Sequence, residues 1–364
     1  MSDERKELKW YHQKRVRVTA GVLAAILLIT AAAYPLVIPA SVPGAKVSSS
    51  QADANGGAVQ ESAGAANAPA AEAAFETDDG YAALTKLVSD GAYEEALSSV
   101  DTLLQAESSP ERKRDLLGMK GALCYRTGRF KEAAEVCDEL IGSDQSGSTD
   151  GSVYFVRGVS RIETGQYEEA WNDLKETEKR GFEDAKILDL QLALAAYLKG
   201  DYKNAGEYAE KASKEKQTEG ASLTETGQGS PLFSSLLPEE SRQQTEEQIL
   251  YIAAVSRMQM EDFTGSIEWF DRLADVKEDA EVFYYRGVAY MALEKYEEAA
   301  ADFEKALALG KDDTAVHYDL GVCLVSGIDP ERGKSELEIA ASMKDDPDLS
   351  VSAENVLAAL SQNQ

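Results

Sequence analysis

Residues Ala280 to Leu309 read AEVFYYRGVAYMALEKYEEAAADFEKALAL, and the spacing of their apolar side chains decides the fold. In the first half Phe283, Gly287 and Tyr290 recur three or four apart and share one helical face; in the second Tyr296, Ala299, Phe303 and Ala306 do the same. Glu294 and Lys295 join the halves. Two antiparallel helices follow. Gly287 and Ala299 are expected to face each other, because small side chains let two backbones approach while neighbouring aromatics fill the gaps. One such hairpin cannot bury its second face, so the pattern should recur along the chain.

It recurs. Tyr93-x-x-Ala96, Phe130-x-x-Ala133, Tyr167-x-x-Ala170, Tyr202-x-x-Ala205, Phe263-x-x-Ser266, Tyr296-x-x-Ala299 and, degenerately, Pro330-x-x-Gly333 each mark a second helix. Their spacings are 37, 37, 35, 61, 33 and 34 residues. Gly121, Gly158, Gly287 and Gly321 lie in first helices, and Gly91, Gly128, Gly165 and Gly200 at the turns. On these positions the stretch from about Gly80 to Met343 resembles the tetratricopeptide-repeat (TPR) family, whose period is about 34 residues. The resemblance implies an all-α fold: an α-solenoid of about seven TPR-like helical hairpins with a C-terminal capping helix.

The chain of 364 residues carries a net charge of −28, unevenly spread. Residues 1–17 hold six Lys/Arg against three Asp/Glu, residues 39–79 one against six, and residues 80–364 hold 30 against 56. So acidic an array repels phosphate backbones, which excludes nucleic acid as a partner.

After the basic arm 1–17 comes an uncharged run, Val18 to Ile38, VTAGVLAAILLITAAAYPLVI. At about 1.5 Å per residue it reaches roughly 31 Å, enough for a bilayer core of about 30 Å. The reading is one N-terminal transmembrane helix at 18–38 with a cytoplasmic arm at 1–17, since positive flanks stay inside. The remainder is then extracytoplasmic at the cell membrane. A cleaved secretory signal is the competing reading, with Ala31–Ala33 as its small-residue end. Residues 39–79, rich in Ala, Ser and Gly, read as a disordered tether.

Residues 80–212 then hold repeats 1–4, 213–245 an inserted loop, 246–343 repeats 5–7, and 344–364 a capping helix and tail. Gly142–Ser152 is a polar loop that lengthens one repeat, and the spacing of 61 places the large insertion between Lys214 and Thr245. A short apolar patch within it, Leu232, Phe233, Leu236 and Leu237, is either surface loop or partner-docking segment.

No catalytic signature emerges. His12 and His317 are the two histidines, neither with a recognisable ligand or catalytic spacing. Gly333-Lys334-Ser335 lacks the earlier glycine of a phosphate loop and falls on a second helix. Cys124, Cys137 and Cys323 are expected as buried thiols, the first two offset too far along antiparallel helices to pair. The expectation is therefore a non-catalytic protein with no cofactor, no metal and no evident small-molecule substrate.

What remains is a binding surface. In TPR proteins first helices line the concave face, and alignment on the small residue puts Tyr81, Phe155, Tyr251, Tyr284 and Tyr318 three residues before it. Tyr125, Tyr197, Met258 and Met291 lie one turn beyond. Two such rows suit a protein or peptide partner, with apolar area plus hydroxyl hydrogen bonds. The same residues could equally pack repeat on repeat. Arg126, Arg157, Arg161, Arg257 and Arg286 on these helices could meet a partner carboxylate or the chain's own acids. The resemblance extends to membrane-anchored bacterial TPR proteins and implies an extracytoplasmic scaffold or adaptor. A chaperone-like adaptor for secreted or envelope proteins, or a regulatory subunit of a membrane-associated enzyme complex, are the alternatives.

Overall fold

The computed structural model describes residues 79–144, 147, 149–182, 184–215 and 242–362. The expected transmembrane segment and tether, and the patch Leu232–Leu237, lie outside the described residues. Every regular element among those described is a helix, and none is long and apolar enough to cross a membrane.

Seven hairpins follow in chain order. They are α1 (Asp79–Ser89) with α2 (Tyr93–Ala106), α3 (Pro110–Arg126) with α4 (Phe130–Ser143), and α5 (Gly151–Glu163) with α6 (Tyr167–Arg180). Next come α7 (Ala185–Leu198) with α8 (Tyr202–Lys214), and α9 (Arg242–Gln259) with α10 (Phe263–Val276). The last two are α11 (Ala280–Ala292) with α12 (Tyr296–Ala308), and α13 (Thr314–Cys323), extended by a π-turn at Leu324–Ile328, with α14 (Pro330–Ser342). α15 (Pro347–Gln362) closes the stack against α13 and α14. Thr245, the last residue of the expected insertion, lies inside α9 and is fully buried.

The first six hairpins turn by the same device. After α3 the Gly128 N–H bonds back to the Tyr125 carbonyl and the Arg129 N–H to that of Cys124, a paired C-cap that needs a left-handed residue between helices. Gly91, Gly128, Gly165 and Gly200 supply it at φ of 74°, 74°, 79° and 85°. Glu261 and Glu294 take the equivalent place in hairpins five and six at φ of 62° and 60°. Aspartates open several of the helices that follow: Asp201, Asp262 and Asp329 each accept a backbone N–H from the first turn.

Within hairpins a glycine on the first helix receives a large side chain sixteen residues later. A β-carbon at Gly287 would stand 2.8 Å from the Phe303 ring, one at Gly158 3.0 Å from Leu174, and one at Gly321 2.8 Å from Leu337. At Gly121 the neighbour is the Cys137 sulfur, 3.2 Å away. Gly287 therefore faces Phe303, one turn beyond the Ala299 expected from the sequence. Phe303 is fully buried, so the small residue is a socket for a bulky one. Cys124, Cys137 and Cys323 are buried and free, and burial pushes the Cys124 and Cys137 thiols up to about 12.

Charged clamps join neighbouring hairpins. Arg286 on α11 grips Asp302 on α12 through Nε (2.8 Å) and Nη2 (2.7 Å), while its Nη1 reaches Asp271 on the preceding α10 at 2.8 Å. Arg157 repeats this with Asp173 (3.0 and 2.5 Å) and Asp138 (2.7 Å). Lys120 makes the inter-hairpin half of the contact with Asp101 at 2.8 Å. Asp101, Asp138 and Asp271 all lie eight residues after the aromatic that starts their helix. On α3, α5 and α11 one cation thus fixes the rotation between two hairpins.

Substituting Gly287→Ala is expected to destabilise the array by about 1–3 kcal/mol, because the Phe303 ring cannot retreat within a packed core. Glu294→Gly, by contrast, is expected to raise stability by about 1 kcal/mol or less, since it relieves a left-handed glutamate. Urea denaturation of both variants checks the two signs; a destabilised glycine variant at 294 would contradict the shared turn geometry.

Candidate partner-binding face

Successive hairpins pack asymmetrically. Among described elements the substantial like-with-like contacts all join first helices, α3 with α5, α5 with α7, α7 with α9 and α11 with α13. First helices therefore form the inner layer and second helices the outer one.

Six of the nine expected contact residues are packed inside this layer. Phe155, Tyr197, Met258, Tyr284, Met291 and Tyr318 expose 5% or less of their surface. Phe155 stacks on Phe182 with ring centres 4.4 Å apart, and Tyr197 tilts against Tyr202 at 5.5 Å. Tyr284 lies between Tyr285 and Phe303, and its hydroxyl donates to the buried Asp319 of the next hairpin at 3.1 Å. To meet a peptide these side chains would have to leave their packing. Tyr81, Tyr125 and Tyr251 stay partly exposed. The Tyr251 hydroxyl is itself enclosed, and burial raises its pKa well above the ordinary tyrosine value.

Most of the candidate arginines face the chain's own acids. Arg161 joins the Arg157 cluster through Asp173 (2.8 Å) and Asp138 (3.1 Å), and Arg257 holds Asp262 (2.7 Å) and Glu210 (3.1 Å). Hydrogen bonding to Asp302 leads the effects that raise the Arg286 pKa, against the opposing effect of burial, so that clamp remains charged. Arg126 differs. Its Nη2 donates to the Tyr93 hydroxyl at 3.1 Å and its guanidinium lies over the Tyr93 ring at 5.2 Å, while Nε and Nη1 are buried without an acceptor. One hairpin further, Glu163 is half-buried, and burial raises its carboxyl above the ordinary value. The sequence reading passed over Glu163, although it stands five residues after Gly158 just as Arg126 stands five after Gly121.

His317 is held between two carboxylates that sequence spacing did not reveal. Glu336 of α14 meets Nδ1 at 2.7 Å and Asp312 meets Nε2 at 2.8 Å. The ring's two nitrogens point apart, and no cluster of three ligand-type side chains among the described residues could hold a metal ion. Burial opposes the charged ring, but the hydrogen bonds to Glu336 and Asp312 outweigh it and raise the pKa above 6.5.

The chain is thus, over its described residues, an α-solenoid of stacked helical hairpins with no strand. Tetratricopeptide-repeat family models match residues 81–148 and 155–219, and a further one matches residues 280–313. Over those stretches the chain is similar to the tetratricopeptide-repeat family. The fold is shared with the C-terminal part of a TPR repeat-containing protein from Cytophaga hutchinsonii, at 11% identity and a TM-score of 0.51, covering 75% of this chain and 98% of that one. A tetratricopeptide repeat protein from Parabacteroides merdae aligns at 16% identity and a TM-score of 0.43, covering 77% and 98%. MamA from Desulfovibrio magneticus aligns at 19% and 0.41, covering 53% and 94%. No curated protein matches the sequence.

A raised histidine pKa contributes stability in full below the unfolded value of about 6.5 and loses it as pH climbs through the folded value. His317→Gln is therefore expected to lower the midpoint of thermal unfolding at pH 6 and to lower it far less at pH 9. Scanning calorimetry at the two pH values tests this; an equal deficit at both would mean the ring acts by packing alone.

Proposed function

We propose that the chain is a non-catalytic, membrane-anchored scaffold whose TPR array stands outside the cytoplasm and binds a protein or peptide partner along its inner layer. The observation that carries the binding part is the family match joined to an inner layer where charged and aromatic groups stay partly open. Anchoring is supported by the uncharged run Val18–Ile38 behind a basic arm. The Ala/Ser/Gly-rich residues 39–79 serve as tether, and holding a partner near the membrane raises its effective concentration without any new contact.

Two measurements test the reading. The full chain expressed in bacteria is expected to sediment with membranes through an alkaline wash, with the array open to protease only after the outer face of the membrane is exposed. Release by the wash, or an array cleaved only after lysis from the cytoplasmic side, would overturn the anchoring. A photo-crosslinking side chain at Tyr125, on the inner layer, is expected to capture one small set of proteins that the same group at the exposed, outer Glu95 does not. Identical capture at both positions would refute an inner binding face.

A further inference from the structure

The last second helix and the closing helix share a small core of their own. Leu337 and Ala340 of α14 and Leu349 and Ala353 of α15 pack on Tyr318 and Val322 of α13. The other side of α13, through Val316, Leu320 and Cys323, belongs to the larger core of the preceding hairpins. α13 is thus fixed to the array, and α14 with α15 sits on it as a terminal unit, of the kind that opens below the free energy of global unfolding.

Polar ties pin that unit to α13, and they meet at one side chain. His317, 8% exposed, faces carboxylates from two other elements: Glu336 of α14 at Nδ1 (2.7 Å) and Asp312, in the turn before α13, at Nε2 (2.8 Å). The turn between α14 and α15 brings a third. Asp345 accepts from the Thr314 backbone N–H (3.1 Å) and hydroxyl (2.5 Å), and its pKa is lowered first by that hydroxyl and in part by the charge of His317. Other charges packed about α13 are engaged elsewhere. Lys311 holds Glu281 of α11 (2.8 Å) and Asp313 (2.9 Å), and Asp319 accepts from Tyr284 (3.1 Å). Arg332 of α14 holds Glu304 of α12, with its Nε 3.8 Å from Glu336. A ring with a carboxylate at each nitrogen bonds both only as imidazolium. Burial opposes that charge, but the two hydrogen bonds prevail and keep the pKa above the ordinary histidine value.

We propose that His317 is a proton-operated latch on the C-terminal end of the array: protonated, it holds α14 and α15 closed on α13, and deprotonated, it lets them open as a unit. The closed form binds the proton more tightly than the open form, so closure is favoured in full below the ordinary histidine pKa and weakens as pH rises through the raised value. A neutral ring has one N–H for two carboxylates. Asp312, with its side chain 73% exposed, turns to water at small cost, whereas Glu336, at 13%, keeps its charge inside the junction against a neutral ring. The cost of losing the proton therefore falls on α14, and with α14 goes the cover over Tyr318 and Val322. The latch stands independently of the anchoring and partner binding proposed above.

Amide hydrogen exchange of the full chain, read by mass spectrometry over a series from pH 6 to pH 9 and corrected for the intrinsic rate, locates the response. Protection of α14 and α15 is expected to fall about tenfold or more across the series while that of α11 and α12 stays level. The His317 ring, followed by NMR with 15N-labelled histidine and told apart from His12 by the His317→Gln variant, is expected to titrate at the midpoint of that fall. Asp312→Asn, a change at an exposed side chain, is expected to move both midpoints to lower pH together, with helix content by circular dichroism unchanged. His317→Gln is expected to hold α14 and α15 at the parent's high-pH protection throughout. The latch would be overturned by protection of α14 and α15 that ignores pH, by a fall shared equally with α11 and α12, or by a ring that titrates apart from the exchange midpoint. An Asp312→Asn midpoint identical to the parent's would overturn it as well.

Discussion

A phenylalanine ring resting where a β-carbon would otherwise project sets the distance between α11 and α12, and comparable contacts set three other hairpins. With Gly287 against Phe303, Gly158 against Leu174, and Gly321 against Leu337, the two backbones come close enough for the hairpin's inner face to be filled by one large side chain. That closeness leaves each hairpin with a second apolar face it cannot cover, so stacking follows as a physical necessity. The break between Lys214 and α9 tests the principle within the chain. Ala205, Gly206, Ala209 and Ala212 present small buried residues along α8, and a β-carbon at Gly206 would lie only 3.7 Å from that of Ser256 on α9. Lys186 and Glu246 add an ion pair across the same junction at 3.1 Å. A long insertion is tolerated there because stacking depends on the helix faces, and loop closure grows costly only slowly with length.

Electrostatics then fixes what packing leaves free. Apolar faces tolerate a range of rotations between hairpins, but a planar guanidinium gripping one aspartate within its hairpin and another in the preceding one does not. Arg157 and Arg286 each place that fork one residue before the socket glycine, in the same register, and Lys120 supplies a point charge where the in-hairpin position carries Val136 instead of aspartate. The acidic excess of the array is thus not uniform: aspartates at fixed steps are consumed internally, and the exposed glutamates at the starts of α2, α6 and α12 keep the outer layer negative.

The parts legible in the sequence are those fixed by local spacing. Helix pairs, left-handed turn glycines and the aromatic-x-x-small steps all repeat within a few residues, and backbone geometry converts them directly into hairpins. The partner of Gly287 was misplaced by one turn because periodicity names a face without giving the axial offset between two helices. The tyrosine rows show the same limit on a larger scale. Alignment puts Tyr284 and Tyr318 on the inner layer, but only the meeting of Tyr284 with Asp319 of the next hairpin explains why it is covered. His317 lay further beyond reach, since its carboxylates stand five residues before and nineteen after it and belong to different elements.

An inner layer so largely filled changes how the array can recognise anything. Aromatic rows open to solvent would supply apolar area and therefore affinity; with Phe155, Tyr197, Tyr284 and Tyr318 turned to packing, that area is largely committed to the fold itself. What stays available is charge and a few partly open rings. Charged contacts give discrimination and fast encounter more than tight binding, and a strongly negative array draws basic partners from a distance before any local contact forms. Were the array anchored as proposed, weak binding of this kind would suffice, because confinement supplies the concentration that buried area does not.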